Sequence, residues 1–230
     1  MSKKVVILGG GTGTSTLVRG LKEFPIDISV VVSVCDDGSS TGKLRKEFDV
    51  PAVGDLRNVL SALSDTEPLF ESLLEYRFNT SSDLNGHAIG NLLLVALCNI
   101  TGNMSDGIKS LSKVLNIKGN VLPLTEDNVV LMGNMSDGKV IEGEHNITEY
   151  KENIKDIYYK KEPKINPEVL DAIKSADMII LSMGSLYTSV ICNLISKDVI
   201  DAIDKSKGQI MYVCNMSVSY THLRAHETSL

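Results

Sequence analysis

Hydrophobic residues are arranged in two ways along the chain. Some form short continuous runs, and others recur singly at every third or fourth position. The continuous runs are rich in β-branched residues and predict strands buried on both faces. They occur in VVIL (5–8), ISVVVSV (28–34), DMIILSM (177–183) and QIMYVCN (209–215). The helical spacing occurs at 17–24, 55–64, 67–76, 86–100, 167–176 and 184–195. Alternating strands and helices predict an α/β, Rossmann-like doubly wound fold with a mostly parallel sheet and ligands at the carboxyl ends of its strands.

The pattern changes between residues 118 and 158. Four short alternating runs, NVLPLT, NVVLMG, KVIEGEHNI and IKDIYY, are separated there by turn residues, which predicts a small antiparallel excursion. The hexapeptide GNMSDG occurs twice, at 102–107 and 133–138. The first copy precedes a helical pattern and the second joins two strand-like runs, so we interpret both as turns rather than as a structural repeat.

A glycine-rich turn joins the first strand to the first helix. Its candidate ligand residues are Gly10, Gly11, Thr12, Gly13 and Thr14. Glycines let backbone N–H groups approach an anion at a helix start, so the turn favours a phosphate or nucleotide ligand. It lacks the third glycine of the dinucleotide fingerprint and the Gly-Lys-Ser/Thr of a P-loop, so NAD is not the favoured ligand. The alternative to a phosphate site is a tight strand-to-helix connection whose glycines serve close packing only.

The helix that follows this turn is predicted from Leu17, Val18, Leu21 and Phe24, which share one helical face. A hydroxyl from Thr12, Thr14 or Ser15 is expected to cap its start.

Composition narrows the class of partner. The 230 residues are 43% hydrophobic and carry a formal net charge of −6, with the basic residues scattered, so we expect a globular protein with a small-molecule ligand and no nucleic-acid partner. The 4 cysteines stand singly in apolar stretches and are interpreted as reduced core thiols. No apolar stretch reaches the roughly 18 residues of a spanning helix, so we expect no membrane span and a cytoplasmic location.

Two carboxylates, Asp36 and Asp37, are expected at the end of the second strand. This is where a doubly wound fold presents groups to a ribose or a metal. We expect one of them, with Asp36 favoured, to contact the ligand and the other to be structural. Ser40 follows in the same polar stretch and is a further candidate.

Two more polar groups of residues belong to predicted helices. In GDLRN, we favour Asp55 as a helix cap, while Arg57 could direct a bidentate fork at a phosphate or sugar and Asn58 stands beside it. His87 and Asn91 are one helical turn apart, so they either meet the ligand or satisfy each other in the core.

The residue types do not favour catalysis. No Ser-His-Asp order, nucleophilic cysteine or metal cluster is evident from spacing, and we assign no catalytic residue. For Tyr187 we favour packing over stacking on a base.

Five glycine-containing stretches follow one another along the chain, in the order GGGTG, DDGSSTGKLR, GDLRN, GHAIGN and GSLYTS. In this order and spacing they resemble the gluconeogenesis factor family (YvcK-like). That family shares its fold with the 2-phospho-L-lactate transferases of deazaflavin coenzyme biosynthesis. The resemblance extends from residue 4 to about 216. Any one of these motifs is weak, whereas five in register are specific.

The resemblance implies a cytoplasmic bacterial protein that binds a UDP-sugar such as UDP-N-acetylglucosamine. It implies a regulatory role in growth and cell shape under gluconeogenic conditions, with cell-wall (peptidoglycan) synthesis enzymes or a regulatory kinase as partners. The alternative is a phospholactate-type transferase. No cofactor is assigned, although Mg²⁺ at Asp36 is compatible with the fold.

The sequence departs from the family pattern at 182–193. Ser182, Met183 and Cys192 replace a glycine and two prolines of the pattern. Gly184, Ser185 and Thr188 still predict a helix start that can receive an anion.

The last residues also depart from the family pattern. After residue 216, SVSYTHLRAHETSL has neither helical nor alternating periodicity. We therefore expect one nucleotide-sugar-binding domain over 1–216, incomplete at its C-terminus, and a non-native tail over 217–230. We expect QIMYVCN to enter the core, with one face of Leu194, Ile195, Met211 and Val213 left open to water.

Overall fold

The computed structural model describes residues 2–214, and the predictions for 217–230 lie outside the described residues. Five parallel strands form the main sheet. They are β1 (Lys3–Gly9), β2 (Ile26–Val32), β3 (Asn120–Pro123), β7 (Met178–Leu181) and β8 (Gln209–Tyr212). Their order is β3-β2-β1-β7-β8, and every pairing is parallel. The predicted α/β doubly wound fold is therefore confirmed, with the order reversing between β1 and β7.

Nine α-helices accompany the strands in the described part of the chain. They are α1 (Gly11–Leu21), α2 (Ser39–Phe48), α3 (Gly54–Leu63), α4 (Pro68–Glu75), α5 (Ile89–Thr101), α6 (Met104–Val114), α7 (Glu144–Glu149), α8 (Pro167–Lys174) and α9 (Lys197–Lys205). Helix α1 packs against α3, and α8 packs against α9. None of the helices in residues 2–214 is long and apolar enough to cross a membrane.

Three helix predictions need correction. Phe24 lies beyond the end of α1 and is 62% exposed, because α1 ends at Leu21 before the turn into β2. Helix α5 begins at Ile89 rather than at 86, since Gly86 has a positive φ of 78°. The segment 184–195 forms a π-helical turn (Leu186–Val190) and a 3₁₀ turn (Ile191–Leu194) instead of an α-helix.

The antiparallel excursion is present but smaller than predicted. Strands β4 (Leu131–Met135), β5 (Val140–Glu142) and β6 (Ile154–Tyr159) form a second sheet in the order β5-β4-β6. NVLPLT does not belong to it, because β3 pairs in parallel with β2 in the main sheet. KVIEGEHNI is a strand only in its first part, since Gly143, with φ of 95°, turns the chain into α7.

The core lies between the sheet and its helices, and β1 and β2 contribute fully buried residues such as Ile7 and Val30. Three cysteines are buried, as predicted, but Cys214 is exposed. Strand β8 does not enter the core, since all four of its residues are exposed. Met211 is 46% exposed and Val213 is partly buried, so the expected opening of this region to water is seen at Met211.

Candidate functional site

The glycine turn lies at the carboxyl end of β1, beside the end of β7, where the strand order reverses. Gly10 is extended and precedes α1, and Gly11 has a φ of 69°. The helix start has no side-chain cap, so the capping predicted for Thr12, Thr14 or Ser15 is wrong. Thr14 and Ser15 instead donate hydrogen bonds to carbonyls four residues earlier.

The glycines of this turn serve two different purposes. A Cβ on Gly10 would overlap the Asp55 carboxylate, and one on Gly13 would overlap the Met183 carbonyl. These two glycines permit close packing. At Gly11 the nearest atom to an added Cβ is Asp55 Oδ1 at 3.8 Å. Gly11 is therefore less tightly packed than Gly10 and Gly13, and its positive φ, which side chains rarely adopt, is the reason for glycine at this position.

Asp55 faces this turn from α3 and is not a helix cap, because Val53 occupies the cap position. Burial, together with the nearby charges of Asp36 and Glu144, raises the pKa of Asp55 to about 7, against a hydrogen bond from the Gly11 backbone. Asp55 is thus a carboxyl group that changes charge near neutral pH, in contact with the glycine turn.

Asp36 and Asp37 lie four and five residues beyond the end of β2, which stops at Val32, so they do not end the strand as predicted. Asp36 Oδ1 accepts the Gly38 N–H at 2.9 Å. Asp37 Oδ1 accepts the His145 N–H at 2.9 Å from the first turn of α7. Asp37 thereby joins the loop after β2 to the excursion.

Arg45 holds this loop in place, and sequence reasoning missed it. Its buried guanidinium donates to the carbonyl oxygens of Cys35 and Asp36 at 3.0 and 2.9 Å. It also donates to Asn128 Oδ1 and to the carbonyl oxygen of Val129. Burial lowers the pKa of Arg45, and nearby Cys35 and the two aspartates oppose that shift. A single cationic side chain therefore anchors the backbone of the loop that carries the two aspartates.

Glu144 is a second residue that sequence reasoning missed. It begins α7 and is partly buried. Burial raises its pKa, which a hydrogen bond from Thr188 opposes and the charge of Asp36 reinforces. Helix α7 is too short for a periodicity signal, so only the three-dimensional arrangement brings Glu144 beside Asp36 and Asp55.

His87 and Asn91 do not form the predicted helical pair, because His87 precedes α5. The buried His87 Nδ1 lies 2.9 Å from Ser40 Oγ, which joins α2 to the segment before α5. The side-chain oxygen of Asn91 is buried and has no hydrogen-bond partner among the described residues.

Arg57 and Asn58 lie on α3 and contact each other, with Arg57 Nη2 donating to Asn58 Oδ1 at 2.5 Å. Together with Thr12 they line a groove beside α1, of about 410 Å³. This groove is lined by different residues from those around Asp36, so the predicted site residues divide between two places.

The segment 184–188 approaches the site from the end of β7. Ser185 precedes the π-helical turn, and its carbonyl accepts the N–H groups of Ser189 and Val190 at 2.9 and 3.2 Å. Thr188 is buried and its hydroxyl lies 3.5 Å from that of Thr148 on α7. Gly184 is partly buried and would place a Cβ only 2.8 Å from Ser189 Cβ.

Comparison with known proteins places this arrangement in a family. The model of the family described as 2-phospho-L-lactate transferase CofD matches residues 5–227. A protein of Bacillus subtilis named gluconeogenesis factor is 48% identical over 93% of this chain and 68% of its own length. A protein of the same name from Halalkalibacterium halodurans is 47% identical over 93% of this chain and 67% of its own length.

A crystal structure of a Bacillus halodurans protein, described as a member of the UPF0052 family, has the same fold. It superposes with a TM-score of 0.91 at 46% identity, covering 94% of this chain and 69% of that one. The motifs that carried the resemblance thus lie around one edge of the parallel sheet, and both sequence and structure agree: the chain belongs to the CofD family, with the gluconeogenesis factors among its relatives.

Proposed function

We propose that this chain is a regulatory factor that binds a sugar nucleotide, such as UDP-N-acetylglucosamine, at the glycine turn. Relatives named gluconeogenesis factor support a role under gluconeogenic conditions. The observation that carries the ligand proposal is the position of Gly11 at the carboxyl end of β1, where an added Cβ would contact only Asp55 Oδ1, at 3.8 Å. Doubly wound folds receive phosphates at this place.

Each part of the site has a role in this proposal. The N–H groups at the start of α1 that follow Gly11, whose own N–H donates to Asp55, would receive the diphosphate. Asp36 would contact the ribose, or hold a Mg²⁺ together with the ligand phosphates, since Mg²⁺ commonly takes one or two protein carboxylates plus phosphate oxygens. Within residues 2–214 no three His, Cys, Asp or Glu side chains are grouped to enclose a metal, which suits a shared site better than a protein-only cage.

The proposed function also includes a role for this chain in the physiology of the cell. We propose a cytoplasmic factor that supports growth and cell shape on gluconeogenic carbon, by reporting the sugar-nucleotide supply to peptidoglycan synthesis enzymes or to a regulatory kinase.

Calorimetric titration with UDP-N-acetylglucosamine, GDP and NADP tests the ligand. We expect the UDP-sugar to bind and Gly11→Val to abolish its binding, because the new side chain occupies the space above the turn. Gly20→Val is the matched control, since Gly20 lies in the same helix with no atom within 4 Å of an added Cβ. Gly11→Asn tests the same space with a residue that tolerates a positive φ. Wild-type affinity in both folded Gly11 variants would refute the proposal.

The second candidate function is a phospholactate-type transferase, which the family description of the matched model favours. Incubation of the protein with a nucleotide-linked phospholactate, a deazaflavin acceptor and Mg²⁺ separates the two candidates. A binding factor leaves UDP-N-acetylglucosamine and the transferase substrates unchanged. A transferase moves the phospholactyl group to the acceptor hydroxyl and releases the nucleoside monophosphate.

A further inference from the structure

A second polar groove lies beside the glycine turn, between α1, α3 and the end of α4. Its volume is about 410 Å³. Its lining residues are Thr12, Ser15, Thr16, Arg19, Arg57, Asn58, Glu75 and Arg77. Three arginines face one glutamate, so the groove is cationic although the whole chain has a formal net charge of −6.

Arg57 is the fixed element of the groove. It is only 6% exposed, and its Nε is buried with no hydrogen-bond partner among the described residues. The stem of Arg57 packs on Gly90, where an added Cβ would lie 2.7 Å from Arg57 Cδ. A buried guanidinium with an unused donor is costly unless something accepts from it. The protein therefore fixes the position of Arg57, while the Nε of Arg57 remains without a hydrogen-bond partner among the described residues.

The other two arginines are exposed and adjustable. Arg77 Nη1 donates to the Gly86 carbonyl at 2.9 Å, and Arg19 forms a 3.5 Å ion pair with Glu71. Neighbouring Arg77 adds to burial in lowering the pKa of Arg57, because two like charges are held close together. An anion between them would relieve this repulsion.

We propose that this groove is a second oxyanion site, which binds a phosphate or carboxylate group of a small molecule between Arg57, Arg77 and Arg19. The planar guanidinium of an arginine can donate two parallel hydrogen bonds to two oxygens of a phosphate or a carboxylate. The anion is either part of the ligand bound at the glycine turn, which Thr12 adjoins, or a separate metabolite. Anion binding in this groove depends on its three arginines and not on which ligand binds at Gly11.

The test is an amide chemical-shift titration with inorganic phosphate at constant ionic strength. We expect saturable shifts at Thr12, Ser15, Asn58 and Arg77. Arg77→Gln and Arg19→Gln should each weaken this binding about tenfold, the effect of losing one hydrogen bond to a charged group. Both side chains are exposed, so both variants should fold. Lys174→Gln removes the same charge from an exposed position on α8 and should leave the affinity unchanged.

Repeating the titration with UDP-N-acetylglucosamine present distinguishes the two sources. If UDP-N-acetylglucosamine competes with inorganic phosphate for the groove, and Arg77→Gln weakens this competition, the anion belongs to the sugar nucleotide. If both bind at the same time, the anion belongs to a separate small molecule. The absence of saturable shifts at the groove, or equal affinity in wild type and both arginine variants, would overturn the proposal. That result leaves the UDP-sugar titration of the Gly11 variants unaffected, so the two hypotheses fail separately.

Discussion

The hydroxyl groups of Thr14 and Ser182 form a buried hydrogen bond of 3.0 Å between α1 and the end of β7. Gly9 lies between them, and a Cβ there would be 2.7 Å from Thr14 Oγ1 and 2.8 Å from Ser182 Cβ. The family pattern has a glycine in place of Ser182. This chain therefore ties its glycine turn to β7 through a side-chain contact that depends on the missing Cβ of Gly9.

Removing the hydroxyl at position 14 should destabilise the protein. Thr14→Val leaves the buried Ser182 hydroxyl and the Gly10 carbonyl short of a partner, and we expect a loss of about 1–3 kcal/mol in the free energy of unfolding. Urea denaturation measures the loss. Thr16→Val is the control, because Thr16 makes the same bond to a carbonyl four residues earlier but is exposed. Equal effects at the two positions would contradict the role given to Ser182.

Asp55 should make stability depend on pH near neutrality. Its pKa of about 7 in the folded protein lies above the ordinary value of 3.8. The folded state therefore holds the proton more tightly, and the contribution of Asp55 to stability is greatest below about pH 4 and is lost as the pH rises to about 7. The slope in this window is at most about 1.4 kcal/mol per pH unit.

Asp55→Asn isolates this effect, since asparagine keeps an acceptor for the Gly11 N–H but does not ionise. Relative to wild type, we expect the variant to gain about 2 kcal/mol of stability between about pH 5 and pH 8, measured by denaturation at each pH. Asp171→Asn, which removes a carboxylate from an exposed position on α8, is the control for the loss of one negative charge. A constant difference for Asp55→Asn would show that its carboxyl is not perturbed.

Arg45 should be needed both for stability and for ligand binding. Arg45→Met removes the donors to Cys35, Asp36, Asn128 and Val129, and we expect a loss of about 3 kcal/mol or more. The loop with Asp36 would lose its anchor, so UDP-N-acetylglucosamine affinity should fall even at temperatures where the variant is folded. Lys46→Met, at an exposed position on the same helix, is the control for both measurements and should change neither.

The Ser40–His87 contact is a further target for mutation. Ser40→Ala leaves the buried Nδ1 of His87 without the hydroxyl 2.9 Å away, and we expect a loss of about 1–3 kcal/mol in unfolding free energy. Ser72→Ala removes an exposed hydroxyl that bonds a carbonyl of its own helix, so it should cost less. If Ser40→Ala costs no more than Ser72→Ala, the contact contributes nothing to stability.

Strands β1, β2 and β7 of the main sheet could be predicted because their central residues are buried and therefore appear as continuous apolar runs. The same signal could not assign NVLPLT to the parallel sheet, because four alternating residues do not reveal which strand they pair with. Helix α2 was not predicted, since SSTGKLRKEF is mostly polar. Its glycine and hydroxyl residues were interpreted as a loop motif instead.

Some of the candidate site residues could be found from the sequence, because they lie next to regular elements that have a sequence signal. Motif reasoning located Gly11, Asp36 and Asp55 because each follows or begins a regular element. It missed Glu144 and Arg45, which reach the site only through tertiary packing. It also paired His87 with Asn91, because the spacing is helical, whereas the chain at Gly86 adopts a positive φ and begins the helix later.

The bond between Asp37 and His145 spans 108 positions of sequence, and this separation affects the order of folding. Contacts within β1, α1 and β2 are local and close short loops, while a contact of such long range has a larger loop-closure cost and forms slowly. The β1-α1-β2 unit can therefore form from contacts that are close in sequence, whereas the aspartate loop reaches its final position only when the excursion docks. Recovery of ligand binding during refolding is expected to lag behind formation of the β1-α1-β2 unit.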